Sequence, residues 1–287
     1  DDFSVMRNAV EDILVAKKSG KSLANILGAH LEGPYLSENQ SGAQSGSFIK
    51  SPIKAEYEKL IEDYSGIVTR WTYAPEKDTS GEFCSYLTKK GVLVSAGHTD
   101  ATYEDMKKAV ENGCNLVTHL YSCTSTVKRV KGFRYLGVIE SAYLLDDVFV
   151  EIIADGKHLP YELIKMIVKI KGADKVCLVK DSLEIAGSNV EKGVMSGVSY
   201  VVSDGVCKLS DGTGFAGSIA TSNLLIKTLV NGCGYSVPFA VKMLTKTPAT
   251  VMNLNKGELS AGKDADVIVF DDEIEVSSVF VMGKKVI

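Results

Sequence analysis

The chain has 287 residues, 45% hydrophobic and 24% charged, with 26 glycines and a formal net charge of −4; this is the make-up of a turn-rich globular α/β protein and excludes a disordered chain. Its basic residues are dispersed, which argues against a nucleic-acid partner, and no apolar run reaches the roughly 18 residues that a bilayer span requires, which argues against a membrane partner. Six cysteines without a C-x-x-C pair fit a reducing compartment, so a soluble cytoplasmic protein is expected.

Residues 3–19 place Phe3, Met6, Val10, Ile13 and Leu14 at helical spacing. After Gly20, a β run (NILGAHLE) is followed by IVTRWTYAPE, a helix over 78–90, VLVSAGH, a helix over 101–112, and NLVTHL. The helix over 101–112 is expected to be capped by Thr99 or Asp100 and stopped by Gly113. A loop with short helical pieces follows; in it Lys128, Arg129, Lys131 and Arg134 form the one basic cluster, either a solvated loop or an anion-binding patch. Then come VFVEIIADG, a helix over 160–171 and KVCLVKD. Beyond residue 182 the pattern changes to a hairpin turning at Asp204-Gly205, helices over 218–231 and 236–245, and a closing all-β segment.

Six β runs alternating with helices, each ending in polar residues, predict a parallel sheet of the (β/α)8 TIM-type barrel kind, with residues 1–253 as barrel and 254–287 as the C-terminal part of a small β-sandwich domain. A doubly wound open sheet is the rival; no G-x-G-x-x-G follows a first strand. Six strands do not close an eight-stranded barrel, so two barrel strands and part of the β domain are expected to be missing ahead of residue 1.

The four histidines, His30, His98, His119 and His158, all lie where an apolar run gives out. Glu32 with His98 and His119 offers three ligands for Zn2+ or Fe2+, since neutral imidazole and carboxylate both suit such cations. His98 and His119 are one β-α-β unit apart and should occupy matching positions on adjacent strands. His30, two residues before Glu32, points to the same face one layer lower and is read as a supporting or structural residue. Asp181, after VCLV, is a candidate for proton transfer or a helix N-cap. His158 is expected to be less buried than the other histidines, and is either a substrate contact or a loop residue.

HLEGPYL, SGAQ, SAGHTDATY, THLYS, IIADGKHLP, LVKDS, GFAGSIATS and KGELSAGKDADVIVFDDE together resemble the N-acetylglucosamine-6-phosphate deacetylases of the amidohydrolase superfamily. The resemblance implies Glu32, His98 and His119 as metal ligands, Asp181 as general base and then acid, and His158 on the sugar. It also implies phosphate contacts around Ser122 and Cys123 and from Arg134, which in relatives can reach across a dimer interface, so a homodimer is implied. Some members hold the acyl oxygen with a histidine where this chain has Gln44. The family's first strand often brings an H-x-H pair for a second metal, so the expectation is one or two ions, zinc foremost. Lys180 stands where threonine is usual; a cation there would lower the pKa of Asp181. The expected substrate is a phosphorylated amino sugar, N-acetylglucosamine 6-phosphate. The rivals are its galactosamine epimer, a cyclic amide, or a non-catalytic sugar-phosphate-binding relic. Ring-opening relatives commonly use a carboxylated lysine, where this chain offers Glu32.

Overall fold

The computed structural model describes residues 3–21, 23–195 and 197–287, which fall into two compact units, 1–148 and 149–287. In the first unit the elements run α1 (Phe3–Ser19), β1 (Ala29–Glu32), α2 (Lys54–Asp63), β2 (Val68–Tyr73), α3 (Glu82–Lys89), β3 (Leu93–Ala96), α4 (Tyr103–Glu111), β4 (Leu116–Val117), β5 (Lys128–Val130), β6 (Phe133–Tyr135) and α5 (Val138–Leu144). Strands β1 to β4 pair in chain order, all parallel, with Glu32 opposite Thr72 and Ala96 opposite Val117. Parallel strands need covered faces, and the helices between them supply the cover. The core is aromatic: Trp71 stacks on Tyr35 and meets Phe83 edge-on, while Tyr57 and Tyr73 pack against the same Phe83.

Helix α2 is absent from the sequence reading. Its signal is nonetheless present, because Tyr57, Leu60 and Ile61 are the buried positions at i, i+3 and i+4 of an otherwise polar segment. The cap of α4 also differs from expectation. Thr102 is the N-cap and forms a reciprocal capping box with Asp105, because Thr99 and Asp100 are already engaged elsewhere. Thr99 bridges in parallel to Thr124 and gives its hydroxyl to Glu76, and Asp100 accepts from Gln40 and Lys128, so the chain stays extended until Thr102. Thr102→Ala is expected to lower stability by about 1 kcal/mol in denaturant unfolding, the usual worth of such a cap.

The segment read as a loop with short helical pieces contains the hairpin β5–β6 as well as α5. Its turn residues, Lys131 and Gly132, both have positive φ (48° and 90°), as a two-residue hairpin turn of the mirror-image type requires. Lysine in place of asparagine or aspartate at the first turn position hid this hairpin in the sequence.

The second unit contains β7 (Phe149–Ile153), α6 (Tyr161–Lys171), β8 (Val176–Val179), β9 (Lys192–Met195), β10 (Val198–Ser203), β11 (Val206–Leu209), β12 (Phe215–Gly217), α7 (Ser222–Lys227), α8 (Val237–Leu244), α9 (Lys246–Val251), β13 (Val267–Phe270), β14 (Val276–Val281) and β15 (Lys284–Lys285). Strands β7 and β8 are parallel, and α6 crosses between them. Strands β9 to β12 form an antiparallel sheet whose β10–β11 turn is the expected Asp204-Gly205. A three-stranded sheet of β13, β14 and β15 closes the chain. Among the described residues, no helix is long and apolar enough to cross a membrane.

Candidate functional site

Glu32 ends β1, and His98 and His119 each stand two residues past the ends of β3 and β4, whose last residues, Ala96 and Val117, are register partners. The two imidazoles therefore occupy equivalent strand-end positions, as their spacing predicts. Their rings meet edge to face with centroids 4.9 Å apart. Glu32 Oε1 lies 2.6 Å from His98 Nε2 and 3.3 Å from His119 Nε2, and one ligand atom from each of the three residues falls within 4.8 Å of the others. Both histidines have positive φ, 48° and 30°, a backbone region that costs a non-glycine residue energy and collects at functional sites.

The other ring nitrogens fix what this cluster can hold. His98 Nδ1 is 2.8 Å from the Gln40 carbonyl, and His119 Nδ1 is 3.1 Å from the Ser122 carbonyl. A carbonyl only accepts, so each Nδ1 carries the proton, and in a neutral ring each Nε2 presents a lone pair. Two such lone pairs facing a carboxylate oxygen at hydrogen-bonding distance repel unless a proton or a cation lies among them. The set fits a divalent metal: one carboxylate, two imidazoles, and a backbone carbonyl behind each ring to set its tautomer.

Without a cation, protons take that place. Burial disfavours the charged form of His98, but hydrogen bonding to Cys123 and to Glu32 and the Glu32 charge outweigh it, raising the imidazole to about 10. Burial likewise opposes ionisation of Glu32, yet hydrogen bonds from His119 and His98 hold its carboxyl well below the usual carboxylate range. Near neutral pH the metal-free site thus carries a proton that a cation must displace. Binding of a divalent metal is expected to release about one proton and to tighten about tenfold per pH unit as pH rises towards 10, the value to which His98 is raised. Calorimetry in buffers of different ionisation enthalpy measures that proton directly.

The loop between β1 and α2 clasps His98 from two sides. Ser37 N–H donates to the His98 carbonyl at 2.8 Å, while Gln40 supplies the carbonyl for Nδ1. Gly42 lies so close that a Cβ there would sit 2.7 Å from Cys123 Sγ and 3.3 Å from His98 Cε1; with φ +58° as well, the position requires glycine. Glu76, after β2, braces the neighbouring turn by accepting from the Thr99 hydroxyl and, at 2.7 Å, from the Asp100 amide. Beneath the ligands lies a buried hydroxyl layer: Thr72 bonds Ser95 and Thr118, and Arg70 donates to both Ser95 and Thr118. His30 Nε2 meets Thr72 Oγ1 at 2.7 Å, which agrees with its reading as a supporting residue.

Of the other residues singled out in the sequence, Gln44 is half-buried in the Gly42 loop, its backbone N–H donating to the Ser41 carbonyl. Ser122 and Cys123 follow His119 in a tight turn; the Ser122 amide already donates to the His119 carbonyl at 2.9 Å. Arg134 lies on the exposed strand β6, and Lys128 of the basic cluster pairs with Asp100. Asp181, two residues past β8, has φ +49°, and its carbonyl accepts from Ser218 N–H; turns follow it, so it caps no helix. Lys180 beside it is exposed. The His158 side chain is 8% exposed, with Nδ1 2.8 Å from Asp155 Oδ2. His158 is less buried than His98 and His119, as expected, but the most exposed histidine is His30, on β1, so the expectation holds against two of the three. Gln40, Gly42, Glu76 and Asp155 went unnoticed as supports; only Asp155, three residues before His158 in an Asp-Gly turn, carried a readable signal.

Comparison with known proteins adds a lineage. The model of the amidohydrolase family matches residues 3–286. The chain is 31% identical over 264 residues to the N-acetylglucosamine-6-phosphate deacetylase of Lysinibacillus sphaericus, covering 91% of this chain and 66% of that protein. It is 32% identical to the deacetylase of Haemophilus influenzae, covering 90% and 67%. The chain thus spans about two thirds of the length of these curated relatives. A solved aspartate-to-alanine mutant of the Mycobacterium smegmatis N-acetyl-D-glucosamine-6-phosphate deacetylase, in complex with N-acetyl-D-glucosamine-6-phosphate, superposes with a TM-score of 0.92 at 26% identity, over 100% of this chain and 74% of that one. Ligand geometry, strand register and these matches agree, and the chain belongs to the amidohydrolase family, among its N-acetylglucosamine-6-phosphate deacetylases.

Proposed function

We propose that the protein hydrolyses the acetamide of N-acetylglucosamine 6-phosphate to glucosamine 6-phosphate and acetate. The observation that carries this reading is the convergence of Glu32, His98 and His119, with both imidazoles oriented by backbone carbonyls. These three residues hold a divalent cation, zinc foremost, in a site of one or two ions. When bound, such a cation lowers the pKa of water and polarises an acyl oxygen, which no side chain of this set does alone.

The chain's own residues perform the remaining steps. Asp181 accepts a proton from the attacking water as the water oxygen bonds to the acyl carbon, then returns it to the amide nitrogen as the C–N bond breaks. Its position just past β8 supports this role, since barrel enzymes place reacting groups at the C-terminal ends of strands. His158 hydrogen-bonds the substrate and Gln44 the acyl region. The phosphate is read as held by backbone amides around Ser122 and Cys123 and by Arg134, the last reaching a neighbouring subunit's substrate in a homodimer. We further infer a barrel of the (β/α)8 TIM type over residues 1–253, with residues 254–287 in a small β domain, and a cytoplasmic location.

Incubating the zinc-loaded protein with N-acetylglucosamine 6-phosphate, its galactosamine epimer and a cyclic amide, and measuring acetate and ring-opened product, tests the reading. Acetate from the first substrate in preference to the second supports it. Ring opening, or silence on all three, overturns it.

A further inference from the structure

The loop after β7 holds a second ordered pair that the proposed chemistry does not account for. The Asp155 side chain is 1% exposed. Its Oδ1 accepts the backbone N–H groups of Lys157 and His158, both at 2.9 Å, which locks the turn, and its Oδ2 takes His158 Nδ1 at 2.8 Å. Phe215 of β12 also packs on the imidazole, with ring centroids 4.9 Å apart and planes at 64°, although Phe215 itself is 40% exposed. An Asp-Gly turn alone needs only the first oxygen. The second oxygen and the aromatic wall act on the ring and not on the backbone.

We propose that Asp155 and Phe215 are positioning residues for His158, holding the imidazole in one orientation with its proton on Nδ1 and reserving Nε2 for the substrate. This rests on the reading that His158 meets the substrate. A neutral ring so held accepts a hydrogen bond from a sugar hydroxyl through Nε2, and a protonated one donates to an acyl oxygen through the same atom without turning. Burial opposes the charge on Asp155, but the hydrogen bonds and charge of His158 and the backbone amides outweigh it, so the carboxylate is held below its ordinary range.

Asp155→Asn separates positioning from turn-making. Asparagine still offers one oxygen to the two backbone amides, but it turns an NH2 group towards Nδ1. A neutral His158 must then accept there and carry its proton on Nε2. The chain has four histidines, so 15N spectra of the zinc-loaded protein, with His158→Gln to assign the ring, read the tautomer at a pH where it is neutral. The wild type should show protonated Nδ1 and the variant protonated Nε2, with kcat/KM for the deacetylation lower by about 10- to 100-fold at unchanged metal content. A wild-type ring protonated on Nε2 overturns the proposal. So does an Asp155→Asn variant that keeps the wild-type tautomer, whatever its rate. If the wild type releases no acetate the functional reading fails, while the tautomer still decides the positioning.

Discussion

Asp181→Asn is expected to reduce acetate release from N-acetylglucosamine 6-phosphate by about 10²- to 10⁴-fold, the usual worth of a general acid–base group, while metal content stays at the wild-type level. The asymmetry is what makes the experiment informative. Asparagine preserves size, and the hydrogen bond from Ser218 N–H goes to the main-chain carbonyl of residue 181, which the substitution leaves untouched, so the strand end stays in place. On the proposed mechanism, what it removes is the capacity to take a proton from water and deliver it to the amide nitrogen, without which the amine is a poor leaving group. A variant that keeps near-wild-type turnover would show that another group moves the proton. One that loses its metal would show Asp181 to be a ligand instead.

Glu32→Gln is expected to fail earlier, at metal retention. Glutamine is nearly isosteric but neutral, and its amide oxygen is a weaker donor to a divalent ion. Loss of a group that only supports a ligand costs about 10- to 100-fold in metal affinity, so loss of the carboxylate itself should exceed that range, with acetate release falling in parallel. Equilibrium dialysis followed by metal analysis gives the first quantity, and the acetate assay the second. The metal-free proteins should also differ in their response to pH. In the wild type, His98 is raised above its ordinary 6.5 and Glu32 is lowered below its ordinary 4.5. The His98 contribution to stability is full below 6.5 and fades as pH rises through about 10. The Glu32 contribution is full above 4.5 and fades as pH falls through its lowered value. Their joint plateau between 4.5 and 6.5 should flatten in Glu32→Gln, measured as denaturant midpoints across pH.

The clustering of Glu32, His98 and His119 was legible in the sequence because strand-end polar residues interrupt apolar runs, a pattern with few structural explanations. Helix α4 fixed the spacing of His98 and His119, and the parallel register of β3 and β4 then makes the two positions equivalent. The supports were not legible, for a physical reason. Gln40 acts through its backbone carbonyl and Gly42 through the absence of a side chain, and neither role leaves a mark in residue type that a reader can separate from an ordinary loop. Glu76 is a charged residue after a strand, and only its bonds to Thr99 and Asp100 reveal its work. Helix α2 and the β5–β6 hairpin were missed for the opposite cause, since their local signals existed but were diluted by charge. The Asp155–His158 pair falls between these cases, the spacing being visible and the choice of nitrogen not.

The clasp around His98 has a consequence for how fast the protein can lose its ion. One short segment, residues 37–42, grips the imidazole at its main chain through Ser37 and at its ring through Gln40, while Gly42 closes over the sulfur beside it. This segment cannot peel back without letting the imidazole swing away from Glu32. Opening of the loop would free both restraints on the imidazole at once, so a protease nick within residues 37–42 is expected to speed the loss of metal to a chelator.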